Sequence, residues 1–276
     1  MDLPPPGPPW DLPTSGAPFA FVDLEMTGLD VARDRVVEVC IDRVVGGQRT
    51  AFVHTLVNPG ERLGGNAHIH GIDAALVADA PPFAAVLGEV MAALDGAILV
   101  AHAALWDVRF LEAECRRIGA KPELGSFIDT LVLARRAFAF PSYSLDALCR
   151  ELGIERGRAH RADSDVRAMR ELFDRCVAVL TPVSARDLWE VRVGDRVARQ
   201  AVVDACEAAA KHGAPVLVTY RPAGRPPQAL QMVVLEVRSD LDPPRIVGYQ
   251  HPGRGRRDLR ADRILRVEPQ PADAPP

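Results

Sequence analysis

Apolar residues recur along this chain in two rhythms, one of period two and one between three and four, and the two change places several times. Residues 19–25 (FAFVDLE) form a short apolar run interrupted by two acids, the pattern of a strand. Residues 35–45 and 50–57 are rich in β-branched side chains and flank Gly46-Gly47, which predicts a hairpin. Three such strands in succession predict an antiparallel meander. Over 82–94 the spacing becomes helical, with Phe83, Val86, Leu87, Val90, Met91 and Leu94 sharing a face. Residues 97–101 (AILVA) read as a brief buried strand and 106–118 as another helix. A strand at 127–129 runs into a helix at 130–138, and helices at 144–152 and 164–180 follow. A meander first, then strands alternating with helices, predicts an α/β fold with a mixed sheet flanked by helices.

The rhythm breaks at Thr181-Pro182, which stops the long helix. Beyond it, a helix at 196–211 precedes β-rich stretches at 215–220, 230–237, 245–249 and 264–267, separated by Pro- and Gly-rich breaks. These predict a smaller α+β or barrel-like domain. The first 18 residues hold seven prolines and little periodicity, and the chain closes on PQPADAPP. The expected organisation is a disordered Pro-rich tail over 1–17, a large domain over 18–182, a small one over 188–268 and a disordered tail over 269–276.

Composition and charge narrow the picture only a little. No apolar run reaches the ~18 residues that would cross a bilayer, and the N-terminus lacks the basic and apolar segments of a secretory signal. Five cysteines (Cys40, Cys115, Cys149, Cys176, Cys206) stand singly, which argues against structural zinc and against a disulfide framework. A cytoplasmic protein with no membrane partner is the expectation. The net charge of −4 is uneven: residues 1–182 carry 18 Lys+Arg against 25 Asp+Glu, and residues 183–276 carry 15 against 12. An acidic first part is compatible with a site where divalent cations reverse the local sign.

Candidate chemistry sits at the ends of elements in the first domain. Asp23 and Glu25 are two apart on an apolar strand, so both side chains project from one face, within reach of one cation. Taken alone, the pair is equally compatible with two surface acids at a strand end. Asp107 follows the 97–101 strand and opens the next helix, where the helix dipole already favours an acid. Asp165 lies in the opening turn of the last long helix, with His160 on the loop entering it. Each is unremarkable singly. Together, four carboxylates and one histidine at the termini of separate elements could converge at one end of a sheet, and oxygen donors suit Mg²⁺ or Mn²⁺ rather than zinc. Two such ions would activate water and stabilise a leaving oxygen in phosphodiester hydrolysis, with His160 able to take the proton.

FVDLEMTGLD, LVAHAALWDVRFL and HRADSDVRAM, in that order, resemble the three motifs of the DEDDh, or DnaQ-like, exonucleases. LVNPG at 56–60, IHGI at 69–72, DTLVLAR at 129–135 and YSLDALCRELGI at 143–154 add to the resemblance, which covers about residues 18–180. It implies an RNase H-like fold and 3′→5′ hydrolysis of single-stranded DNA or RNA ends, DNA favoured, releasing nucleoside monophosphates. Position by position, it implies that Asp23, Glu25, Asp107 and Asp165 hold two Mg²⁺ or Mn²⁺ ions and that His160 is the general base. Met26 and Thr27 match the turn that cradles the terminal nucleotide, and His102 and Trp106 fall in the substrate-facing part of the second motif. That motif usually reads His-Asn, whereas here Ala103 follows His102, which removes a polar contact. An RNA exonuclease of the same family and a non-catalytic nucleic-acid-binding regulator are the alternatives; attachment to a polymerase is not implied.

Residues 188–268 resemble a WYL domain more weakly, through VTYR at 218–221 and LRADRILRV at 259–267, without the family's Trp-Tyr-Leu signature. Arg254, Arg256, Arg257, Arg260 and Arg263 form a basic cluster suited to phosphates, or equally a solvated edge. A substrate-holding or ligand-sensing accessory domain is the expectation.

Overall fold

A computed structural model describes residues 3–60, 66–122, 124–157, 160–220, 222, 228–241, 243–253 and 255–270, with side chains throughout except at 192–199. The described residues fall into two compact units, one built from residues up to 138 and 143–191, the other from 139–142 and the chain beyond 191. Among the described residues no helix is long and apolar enough to cross a membrane.

The first unit is organised by a five-stranded sheet of order β3-β2-β1-β4-β5. β1 (Phe19–Met26), β2 (Val36–Val45) and β3 (Gln48–Leu56) form the expected antiparallel meander, and β4 (Ile98–Ala101) and β5 (Phe127–Asp129) add parallel strands to the other side of β1. Gly46 and Gly47 both hold positive φ, 57° and 77°, as a two-residue hairpin turn with the right twist demands. Helices α3 (Phe83–Leu94), α4 (Leu105–Arg117), α5 (Thr130–Ala137), α6 (Leu145–Leu152) and α7 (Ala162–Leu180) flank this sheet. Two single-turn helices not visible in the apolar spacing, α1 (Ala67–His70) and α2 (Ala74–Val77), lie in the connection before α3.

The packing of α7 on β1 sets the geometry of everything that follows. Period-2 alternation places Phe19, Phe21, Asp23 and Glu25 on one face of β1. Phe173 of α7 packs on Phe19 and Phe21, with ring centroids 4.9 and 5.3 Å apart. Asp165 lies eight residues before Phe173, about 12 Å along a helix. Glu25 lies four residues after Phe21, about 13 Å along a strand. The aromatic contact therefore brings the N-terminus of α7 over the acidic end of β1.

Two expectations about domain limits are corrected. Residues 4–17 do not form a disordered tail: Trp10 is 4% exposed, Ala17 is buried, and the segment straps onto the start of α8 (Ala185–His212). Arg186 donates to Asp11 at 2.5 Å and to the carbonyls of Pro4 and Pro5, while its own amide donates to the Trp10 carbonyl. An apolar side chain among the prolines, and an arginine that finds their carbonyls, outweigh the entropy of ordering the segment. The expected gap at 183–187 is likewise filled. Ser184 and Asp187 satisfy each other's amides in a reciprocal cap, so α8 begins at Ala185 and the division between units lies inside it.

In the second unit β6 (Pro215–Tyr220), β7 (Gln228–Arg238), β8 (Arg245–Gln250), β9 (Arg256–Arg260) and β10 (Ile264–Pro269) form an antiparallel sheet of order β10-β6-β7-β8-β9. Val203 and Cys206 of α8 pack on its apolar face against Val218, Met232 and Ile246. β9 went unpredicted because its residues are charged at four of five positions. β10 reaches Pro269, inside the expected tail; residues 271–276 of that tail lie outside the described residues.

Candidate active site

Three elements bring the four acids together. Asp23 and Glu25 come from β1, Asp107 from the first turn of α4 and Asp165 from the first turn of α7. A carboxylate oxygen of Glu25, one of Asp165 and a ring nitrogen of His160 all lie within 4.8 Å of one another. Asp107 and Asp165 are each 6% exposed, and His160 is exposed. Burial, and then the charges of Asp107, Asp165 and Glu25, push the Asp23 carboxyl well above its ordinary range. Burial, and then Asp165 and Glu38, push Glu25 up to about 8. Burial likewise raises Asp107 to about 8, with main-chain hydrogen bonds at Asp107 and Leu24 working against it. Burial raises Asp165 less, because Arg156 opposes it.

Such a cluster is unfavourable without a counter-charge. The protein supplies part of one: Arg156 donates to Asp165 Oδ1 at 2.6 and 3.0 Å and also pairs with Asp146. Among the described residues no arginine acts on Asp23 or Asp107 in this way, and the charges that bear on them are those of other acids. An all-oxygen donor set crowded into a poorly solvated corner fits a hard divalent cation, which removes the mutual repulsion that raises these carboxyls.

Three supporting residues went unpredicted. Glu38, fully buried on β2 and directly opposite Glu25 in register, accepts hydrogen bonds from Arg161, His54 and the Ala162 amide. Burial alone would raise its carboxyl, but these bonds outweigh it and hold Glu38 below the usual range. Arg161 and Arg156 carry no signal of their own in the sequence, because arginines on helix-flanking loops are ordinarily solvated. The readable signal is an acid, Glu38, set among the apolar residues that open β2.

Residues 20–173, more than half of the chain, match the family model RNase_T, described as Exonuclease. The chain belongs to this family of exonuclease enzymes. The DEDDh resemblance and the RNase H-like fold are thereby borne out, and the family's nucleases depend on divalent metal. The PolC-type DNA polymerase III of Thermotoga maritima is 32% identical over 176 residues, covering 63% of this chain and 13% of that protein. A DNA polymerase III subunit epsilon-like protein of Rhodobacter capsulatus is 36% identical over 178 residues, 62% of this chain and 25% of that one. The chain thus spans a quarter or less of these two relatives. Solved structures of the same fold include Exonuclease X in complex with 5′-overhanging duplex DNA (TM-score 0.51, 24% identity, 63% of this chain and 98% of that one). E. coli Exonuclease I in complex with a dA16 oligonucleotide is another (TM-score 0.56, 16% identity, 84% of this chain and 54% of that one). The nuclease domain of 3′hExo, a DEDDh family member bound to rAMP, is a third (TM-score 0.50, 19% identity, 60% and 96%).

The residues expected from the family to meet substrate divide into two sorts. Trp106, next to Asp107 in the chain, is 41% exposed, and Met26 is partly exposed at the end of β1. Thr27 is buried, and its hydroxyl accepts from the Arg35 amide and bonds Asp34, so it stiffens the β1–β2 turn from within. Gly28 belongs to the same turn, where any β-carbon would collide with the Asp34 carboxylate. His102 bonds Thr130 Oγ and the Tyr143 carbonyl, each at 3.0 Å, through its two ring nitrogens, and burial drives it down to about 4. It braces β4 against α5 and the loop before α6.

Ala103, the family departure, holds φ of +59° and donates its amide to Asp129. Left-handed backbone is costly for alanine and well tolerated by asparagine, so the usual residue of the motif fits the conformation as well as the chemistry. Ala103→Asn is therefore expected to raise stability by about 0.5–1 kcal/mol, read as a higher thermal unfolding midpoint. An unchanged or lower midpoint would show that the strain is relieved elsewhere.

Proposed function

We propose that this chain is a metal-dependent 3′→5′ exonuclease acting on single-stranded nucleic acid, with DNA favoured. The observation that carries the reading is the convergence of Glu25, His160 and Asp165 within 4.8 Å, beside the half-buried Asp23 and the buried Asp107. In it, Asp23, Glu25, Asp107 and Asp165 hold divalent cations, two Mg²⁺ or Mn²⁺ ions in keeping with the family motifs. When bound, those cations polarise the scissile phosphate and offset its charge. His160, exposed and on the loop entering α7, takes a proton from the attacking water. Trp106 offers a stacking surface to the terminal base, worth about 1–3 kcal/mol in comparable sites. The β1–β2 turn, stiffened through Thr27 and Asp34, carries Met26 toward the sugar.

The preference for DNA rests on Exonuclease I and Exonuclease X, both solved with DNA. The 3′hExo domain holding rAMP favours RNA as the second reading. The basic residues of the second unit, including Arg256 and Arg257 on β9, serve in this proposal to hold the strand away from the cut. Digestion of single-stranded DNA and RNA, labelled at either end, with Mg²⁺, Mn²⁺ or EDTA, tests the reading. Stepwise metal-dependent loss from the 3′ end is expected, faster on DNA. Binding without cutting under every metal condition would replace the enzyme with a regulator that grips ends.

A further inference from the structure

Glu38 and Asp42 are four residues apart on β2, both wholly buried, and each is paired with an arginine of α7 or of its entry. Asp42 accepts from Arg170 at 3.2 Å and from Arg49 at 2.8 and 3.0 Å. Glu38 accepts from Arg161 Nε at 3.1 Å to both oxygens and from an Arg161 guanidinium NH at 2.7 Å. It also accepts from the Ala162 amide at 3.1 Å and bonds His54 Nε2 at 2.9 Å. Asp42–Arg170 and the Phe173 stack on β1 already hold the body of α7 to the sheet. The Glu38 pair does something those contacts do not. It acts on Arg161, the residue after His160, and it caps the first amide of α7 from another strand, a role that Arg161, at the N-cap position, does not fill with its own side chain. His160 itself holds left-handed backbone, φ +57°, a conformation that must be imposed from outside on a residue with a β-carbon.

We infer that Glu38 is a positioning residue for His160: its ion pair with Arg161 pins the chain one residue past the imidazole and keeps the ring beside Glu25 and Asp165. The inference rests on the reading of His160 as the general base. Charge is essential to it, because the bidentate contact with Arg161 needs two anionic oxygens, whereas the bonds to His54 and Ala162 need only one acceptor each.

The test is kinetic, on the full chain with Mn²⁺ and a single-stranded DNA oligonucleotide, with E38Q and R161Q made in wild type and in H160A. In wild type each should lower kcat by about 10–100-fold and move KM by less than about threefold, a fraction of what a mispositioned general base can forfeit. In H160A either change should add less than about threefold, since a residue that acts through His160 has nothing left to position. D42N breaks the other tie, and should lower the unfolding midpoint with kcat retained. R161Q removes the same ion pair while leaving Glu38 its bonds to His54 and Ala162, so it reports even where E38Q does not fold. Equal losses of kcat in both backgrounds, from an active wild type, overturn this inference alone. A wild type that cuts nothing with any metal removes the exonuclease reading, and this inference falls with it.

Discussion

Asp23→Asn is expected to lower nuclease turnover by roughly 10³-fold or more, because cation binding supplies several kcal/mol of transition-state charge stabilisation and each ~1.4 kcal/mol is tenfold. The same substitution is expected to stabilise the metal-free protein. Asp23 is held well above the usual carboxylate range by burial and by Asp107, Asp165 and Glu25, and Glu25 and Asp107 are each raised to about 8. A carboxyl whose folded value is raised keeps its proton where the unfolded chain has lost it. The folded state then binds more protons than the unfolded state, and stability falls as pH rises. For Glu25 and Asp107 the loss begins near their ordinary values of 4.5 and 3.8 and levels off above about 8. Each group contributes at most about 1.4 kcal/mol per pH unit across that window, less for members of a coupled set. In EDTA the unfolding midpoint of the wild type should therefore fall between pH 5 and pH 8, and that of Asp23→Asn should fall less. Mn²⁺ at a hundred times its dissociation constant should restore about 2.7 kcal/mol to the wild type. A midpoint in EDTA that is flat or rising over this interval would show that the acids do not confront one another, and would take the cation-site reading with it.

Much of this site is legible in the sequence because its parts lie at element ends, where pattern and chemistry coincide. Asp23 and Glu25 interrupt an apolar strand at period two, and that alone puts them on the face that Phe19 and Phe21 offer to α7. The hairpin at Gly46-Gly47 and the brief strand at β4 follow from turn chemistry and apolar runs in the same way. What was not legible depends on long-range partners. Glu38 looks like a polar defect in a strand until Arg161, far along the chain, is placed against it. His102 reads as a substrate contact until Thr130 and Tyr143 take both ring nitrogens. The Pro-rich start of the chain has the composition of a tail, and only the partners of Trp10, Asp11 and the early carbonyls on α8 order it. Composition measures how little a segment buries on its own, not what another segment offers it.

His160→Ala should separate the proton transfer from the cation site. The imidazole is exposed and sits on the loop entering α7, so its loss leaves no cavity and little stability is at stake. Its ring nitrogen lies within 4.8 Å of oxygens of Glu25 and Asp165, yet those acids keep Asp23 and Asp107 as neighbours without it. Cation affinity and the affinity for a single-stranded oligonucleotide should accordingly change little, while kcat falls by about 10²–10⁴-fold, the usual span for a lost general base. The deficit should narrow as pH rises, because solvent hydroxide progressively does the work of the missing base, and added imidazole should recover part of it. Neither response is open to Asp23→Asn, where the missing element is a fixed charge rather than a proton acceptor. If His160→Ala instead raises KM or weakens cation binding with kcat retained, His160 is a ligand or a substrate contact. The proton would then have to leave by way of one of the carboxylates, and Glu25, whose oxygen lies within 4.8 Å of the imidazole, would be the group to examine.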